Sequence, residues 1–332
     1  MIFNIIIPSI QFSDELKFVL KKLEYQSYRN FFVTIVLDKK NTIIPKYKFD
    51  LKILVVGKKN MSFKRNFAAR QFKSDYIGFL DSDAYPHKNW LKNANSLLNM
   101  KNKDAVGGPS IPFPNQKYSE LISHYAKRSF FVTGSLSFRK YIAKDRYCDW
   151  LEACNFFISR NNYLKYGGMD EKKFLAEDFN FFSKIYKSNK KFKTFYSSKI
   201  YIFHKERNFI KFLLQRFSFG TSAFNLINFK KNYYKYQSIY PFFALIFFLL
   251  FFGLSFTSTT IMYSFCATLI LTEIIIFYEI SKYITNLFTR LLTLLLINLA
   301  NLFFSIGTIC GIILKLNNNY IKKIYISSRN NE

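Results

Sequence analysis

Residues 75–84 read DYIGFLDSDA: a short apolar run, with β-branched and aromatic residues, that stops at two carboxylates flanking one serine. The run predicts a buried strand, and Asp81 and Asp83 then fall at its carboxyl end. Working outward, NIIIP (4–8) is a second apolar run, stopped by Pro8. FFVTIVL (31–37) is a third, stopped by Asp38, and LKILVV (51–56) a fourth. Between them Ser13 is placed to cap a helix over 13–26, with Leu16, Val19, Leu20 and Leu23 at helical spacing, and Ser62 to open a helix through Phe72. Strands alternating with helices on short links predict an α/β fold with a doubly wound sheet. In such a sheet ligands bind at the carboxyl ends of the strands, where Pro8, Asp38 and Asp81 stand.

Further along, 87–100 reads as a helix and DAVGGP (104–109) as a strand entering a glycine turn. EACNFFISR (152–160) reads as a strand followed by a helix, GGMDE (167–171) as a turn and 179–188 as a helix. KTFYSSKIYIFH (193–204) reads as one or two edge strands. Residues 110–147 have weak periodicity and read as a mobile insertion over the acceptor side.

The composition changes after Tyr240. Stretches 240–256, 261–278 and 291–314 are apolar without a polar face, each near the ~20 residues that cross a bilayer. Two or three membrane segments are expected. The chain carries 49 basic and 21 acidic residues, a net charge of +28; the last 95 residues hold only six of the basic and three of the acidic groups. The strongly basic first part therefore adjoins hydrophobic segments, which favours anionic lipid over nucleic acid as partner. No base-reading motif is visible. Lys230, Lys231 and Lys235 before the first stretch place the N-terminal part in the cytosol, at the inner face of the cytoplasmic membrane. Three spans would leave Lys315, Lys322 and Lys323 outside, against that bias, and a re-entrant or interfacial stretch is the alternative to a third span. The four cysteines form no CxxC pair, which argues against a zinc framework or disulfide scaffold. The opening MIFNIIIPSI lacks a basic n-region and is too short for a signal peptide.

The expected layout is a catalytic domain over 1–208, an amphipathic juxtamembrane segment over 209–238, a membrane region over 239–315 and a basic polar tail over 316–332. In the second, Phe209, Phe212, Leu213, Phe217 and Phe224 form an apolar face, with Lys211 and Arg216 elsewhere around the helix.

The Asp81-Ser82-Asp83 triplet can hold a hard divalent cation and leave positions for phosphate oxygens, which a diphosphate leaving group requires. Such triplets also occur in solvated loops, so context matters. IIIPS opens the chain, a strand ends at Asp38, and KRNFA (64–68), LDSDA (80–84), GGMDE (167–171) and AEDF (176–179) follow. His204, Arg207 and QRFSFG (215–220) come after them. This order resembles family-2 glycosyltransferases of the GT-A fold, over residues 4 to about 220, and the apolar tail resembles their membrane-bound members.

The resemblance implies a nucleotide-sugar donor, a divalent cation (Mg2+ or Mn2+) and a lipid-linked saccharide acceptor. It assigns Pro8, Asp38, Arg65, Asp81 and Asp83 to the donor, with Asp38 at the base and Arg65 near base or diphosphate. Asp83 and His204 would hold the metal. Asp178 would be the catalytic base of an inverting displacement, with Gly167, Gly168, Glu177 and Arg216 on the acceptor side. Asp178 also reads as an ordinary acid at a helix N-terminus, Asp170 and Glu171 as turn residues, and His87 and His124 as structural. Two departures stand out. Asp38-Lys39-Lys40-Asn41 lacks the second acid usual after the first, and Leu213 and Phe217 stand where processive synthases carry Gln and Trp. The second departure favours transfer of one sugar. A polyprenyl-phosphate sugar synthase and a non-catalytic membrane scaffold are the competing readings.

Overall fold

The computed structural model describes residues 1–39, 44–100, 102–172, 176–226 and 240–313. Lys230, Lys231, Lys235 and the 316–332 tail lie outside them. The chain divides into two units: Met1–Phe113 with Phe138–Lys205, and Pro114–Ser137 with Glu206 onward.

The first unit is a mixed α/β layer structure. In chain order it contains β1 (Phe3–Pro8), α1 (Asp14–Leu23), β2 (Phe31–Leu37), β3 (Asp50–Val55), α2 (Met61–Gln71), β4 (Tyr76–Leu80), β5 (Ala84–Pro86), α3 (Trp90–Leu98), β6 (Ala105–Gly107) and β7 (Ser110–Pro112). The second unit contributes α4 (Tyr118–Arg128) and α5 (Phe130–Thr133). The first unit resumes with β8 (Arg146–Tyr147), β9 (Asn155–Ser159), α6 (Arg160–Lys165), α7 (Glu177–Ser188), β10 (Thr194–Tyr196) and β11 (Ile202–His204). Eight strands form one sheet in the order β3-β2-β1-β4-β9-β6-β10-β8, and β5-β11-β7 form a second. The first four strands are parallel, and β9 is inserted antiparallel between β4 and β6.

All six residues of β1 are buried, each large apolar one contributing roughly 1.5–3 kcal/mol. Leu16, Val19, Leu20 and Leu23 of α1 pack into the same core, and the Ser13 hydroxyl accepts from the Leu16 amide as expected. The cap of α2 is Asn60, not Ser62: its side chain accepts from the Phe63 amide at 2.8 Å. Strand β10 is not an edge strand, because β8 pairs along its outer side.

The second unit holds α4, α5, α8 (Phe209–Leu226), α9 (Tyr240–Ser255), α10 (Thr259–Ser281) and α11 (Leu287–Ile313). Helices α10 and α11 are long and apolar enough to cross a membrane; α9, at 16 residues, is shorter. Residues 114–137, read from sequence as part of a mobile insertion, instead belong to this unit. Ile122 and Ala126 of α4 join Ile276, Ile280, Leu296 and Ala300 in one apolar cluster.

Helix α8 carries a packed face of small residues that the sequence reading did not single out. Ser218, Gly220 and Thr221 are buried, and a Cβ on Gly220 would stand 2.0 Å from the Phe304 carbonyl oxygen. This face backs directly onto α11. Arg216 is buried as well, its guanidinium 4.8 Å from the centre of the Phe304 ring. Small residues let two helix backbones approach closely, so the helix uses its second face for packing.

Candidate functional site

Three consecutive residues of α2 reach five other segments: the ends of β1, β2 and β4, the start of α7 and the Gly167–Gly168 turn. Lys64, Arg65 and Asn66 are all buried, at 0%, 2% and 2% exposure, which is unusual for charged groups without partners. Lys64 lies 2.6 Å from Asp38 Oδ1 and donates to the Ser9 carbonyl. It thereby ties the end of β2 to the end of β1, where Pro8 pairs with Val36. Burial pulls the Lys64 pKa down, and the Asp38 carboxylate opposes that shift.

Arg65 spans two acids. One guanidinium nitrogen lies 2.8 Å from Asp81 Oδ1, and another lies 3.1 Å from Glu177 Oε1. The first acid ends β4 and the second begins α7, so the arginine joins two of the segments singled out in the sequence. Its charge-assisted bonds are of the strong class.

The other oxygen of Asp81 faces His204, 3.8 Å from Nε2, and Asp83 Oδ1 is 3.6 Å from the same nitrogen. His204 ends β11, which the Lys205 amide fastens to the Asp83 carbonyl at 3.1 Å. The His204 Nδ1 is 2.7 Å from the Lys205 carbonyl. A carbonyl only accepts, so Nδ1 carries a proton, and Nε2, which bears a lone pair whenever the ring is neutral, faces the two carboxylates. Lone pairs so arranged fit a divalent cation, as an imidazole whose far nitrogen is fixed by a carbonyl commonly does. Two ligands bonded at ~2.1 Å to one ion can stand up to ~4.2 Å apart, a range that includes both separations.

Asp178 lies in the first turn of α7. Its Oδ2 accepts from the Ala153 amide at 2.9 Å and its Oδ1 from the Phe179 amide at 2.7 Å. Its pKa is nonetheless raised to about 7, by burial first and by the adjacent Glu177 charge second. An acid serving only the helix dipole would shift downward, so this carboxyl is held in tension with its surroundings. The residue before α7's first turn, Ala176, adopts a left-handed φ of 54°, a conformation that costs a non-glycine residue energy and clusters at working sites.

Sequence reasoning passed over a second charged group nearby. Glu152 accepts from Lys140 at 2.8 Å and from the Ser110 hydroxyl at 3.0 Å. Burial alone would raise its pKa; the Lys140 and Arg139 charges and these hydrogen bonds bring it to about 2. Arg139 itself stacks on Trp150, 3.9 Å from the ring centre, and its charge also acts on Asp178. Arg139 and Lys140 lie within 110–147, whose weak periodicity drew no attention to these groups.

Gly167 and Gly168 form a left-handed turn, with φ of 74° and 61°. The turn is anchored by Asn66, whose Oδ1 accepts from Tyr163 Oη at 2.6 Å and from the Met169 amide at 3.0 Å. Asn66 Nδ2 also donates to Glu171 Oε1 at 2.8 Å, so Glu171 serves the turn, as expected. Asp170 caps the Lys172 amide at 3.0 Å. The turn borders a cleft of about 480 Å³ lined by Asn66, Met169, Glu171, Asn180 and Lys184. Arg216 belongs to the second unit. His87 stacks on Tyr201, and buried His124 meets Glu206 at 3.2 Å, in line with structural roles.

Residues 4–161 match the family described as Glycosyl transferase family 2. Over this part the chain is similar to family 2 glycosyltransferases. Its mixed α/β sheet is the GT-A fold, and the C-terminal α10 and α11 are candidate membrane spans. No curated protein matches the chain. Among solved structures, S. aureus TarS residues 1–349 in complex with UDP-GlcNAc is similar at 21% identity and a TM-score of 0.47, over 63% of this chain and 59% of that one. S. aureus TarS 1–349 is similar at 17% identity and 0.44, over 69% and 66%. S. aureus TarS is similar at 18% and 0.45, over 70% and 41%. The chain thus spans less than two thirds of each of these structures.

Proposed function

We propose that the chain is an inverting, divalent-cation-dependent glycosyltransferase that moves one sugar from a nucleotide-sugar donor to a lipid-linked saccharide at the inner face of the cytoplasmic membrane. The observation that carries this reading is the Arg65 bridge between Asp81 and Glu177, which makes the donor-side acids and the Glu177–Asp178 pair one site. On this reading Pro8 and Asp38 border the base, and Arg65 and Asp81 hold the nucleotide. Asp83 and His204 hold Mg2+ or Mn2+, whose charge stabilises the departing diphosphate.

Asp178 then accepts the acceptor hydroxyl proton as that oxygen attacks the anomeric carbon. The bond to the diphosphate breaks on the opposite face, and one displacement inverts the configuration. A base with a pKa near 7 suits this work at neutral pH. Gly167, Gly168 and Glu177 border the acceptor. Helices α10 and α11 support a membrane-borne acceptor. A phosphate acceptor, as in a polyprenyl-phosphate sugar synthase, would need no base, and the tuned carboxyl of Asp178 favours a hydroxyl.

The test is a transfer screen over UDP-, GDP- and dTDP-sugars with Mg2+ or Mn2+, using membranes that contain the full chain. Turnover of one donor, abolished by EDTA and by Asp83→Asn, is the expected result. Full turnover in excess EDTA would remove the cation from the reading, and no turnover of any donor would favour a scaffold.

A further inference from the structure

Cys154 stands one residue before β9, and the antiparallel register that pairs Leu80 with Asn155 sets it opposite Asp81. From the second sheet, β11 delivers His204 to the same place. One donor atom from each of Asp81, Cys154 and His204 lies within 4.8 Å of the other two. Three separate chain segments thus converge a carboxylate, a thiol and an imidazole.

This donor set is not one that Mg2+ prefers. Hard cations take oxygen ligands, whereas thiolate with imidazole selects Zn2+ and its soft relatives. Around a tetrahedral Zn2+, with bonds of ~2.0–2.3 Å, neighbouring donor atoms stand roughly 3.3–3.6 Å apart. The cluster is wider than that by at most about 1.2–1.5 Å, so binding would draw the three side chains together.

We propose that Asp81, Cys154 and His204 form a site for a thiophilic divalent cation of the Zn2+ class, distinct in ligand set from the Asp83–His204 pair. Binding forms one S–metal bond, and the thiol proton leaves to solvent. Because His204 serves both ligand sets, the two cations exclude each other. Zn2+ is then an inhibitor that Mg2+ or Mn2+ must displace. The exclusion and the inhibition rest on the function proposed above; the three-residue site itself does not.

The full-length protein, purified in detergent, is titrated with Co2+, the spectroscopic stand-in for Zn2+. A thiolate-to-cobalt charge-transfer band in the near ultraviolet is expected. It should persist when Cys148, Cys266 and Cys310 are all changed to Ser, and vanish in Cys154→Ser. Zn2+ should bleach the cobalt spectrum, and its affinity should fall at least about tenfold in Cys154→Ser and Cys154→Ala. Mn2+ affinity, read by competition, should change far less. Co2+ binding without a thiolate band in the unaltered protein overturns the thiol's role while leaving the Asp83–His204 cation intact. No Co2+ binding at all overturns both. The first reading needs no variant, so a misfolded substitution cannot mask the answer.

Discussion

The Ala153 amide donates to Oδ2 of Asp178 at 2.9 Å, fastening the start of α7 to the segment that enters β9. A donor aimed at a carboxylate lowers its pKa, yet burial and Glu177 outweigh it and leave the value near 7. If Asp178 is the base, kcat/KM for transfer should climb about tenfold per pH unit below 7 and level off above it. Asp178→Asn should keep donor affinity and lose roughly 10²–10⁴ of transfer rate. A pH–rate profile with no limb near 7, or near-normal transfer by the variant, assigns the base elsewhere, with Glu177 first in line.

The same shift has a stability consequence of opposite sense. An unfolded Asp ionises near its ordinary value of 3.8, whereas the folded Asp178 keeps its proton to about pH 7. Between these values unfolding releases a proton, so raising the pH destabilises the fold. The penalty is absent below pH 4, grows from 4 to 7 and is constant above. Asp178→Asn removes it. The melting temperature of the variant, relative to the unaltered chain, should therefore rise from pH 4 to pH 7 and stay flat beyond. A difference independent of pH would mean that the carboxyl titrates normally in the folded protein.

Arg65 makes a separate prediction, because only a planar fork reaches Asp81 and Glu177 at once. Arg65→Lys keeps the charge but satisfies one acid. Losing one buried charge-assisted bond costs about 1.5–3 kcal/mol, or roughly 3–12 °C of melting temperature for a domain of this size. Transfer should fall more than the donor KM rises, since the acids on the two sides of the reaction lose their common tether. Unchanged melting and transfer would show that the bridge organises nothing.

Much of the first unit was legible because β1, β2 and β4 are buried on both faces and read as unbroken apolar runs. Asp38, Asp81 and Asp83 followed from where those runs stop. Helix α4 was passed over although Leu121, Ile122, Tyr125 and Ala126 recur at helical spacing, because the stripe is short and shares its buried side with Ser123 and His124. Strands β5, β7 and β8 are only two or three residues long, too short for a period. Cys154 acquires its place from strand register and Glu152 from a lysine twelve residues away. Neither relation is written in local sequence.

The packing of α8 on α11 yields a test with opposite signs at two glycines. A Cβ on Gly307 would stand 2.2 Å from the Phe217 carbonyl oxygen, whereas one on Gly253 in α9 meets nothing within 4 Å. Helical glycine is less stable than alanine by roughly 0.5–1 kcal/mol, so Gly253→Ala should stabilise the chain slightly. At Gly307 the same methyl group must push two backbones apart. Overpacking of this kind costs typically about 1–3 kcal/mol, and the obstacle is backbone, which no rotamer change moves aside. Gly307→Ala should therefore lower the melting temperature of the detergent-solubilised full chain, while Gly253→Ala holds or raises it. Release of α8 should also expose the Arg216–Phe304 stack and bring proteolysis within Phe209–Leu226. If both substitutions behave alike, α8 is not seated on α11 through Gly307, and the helix is available for the membrane surface after all.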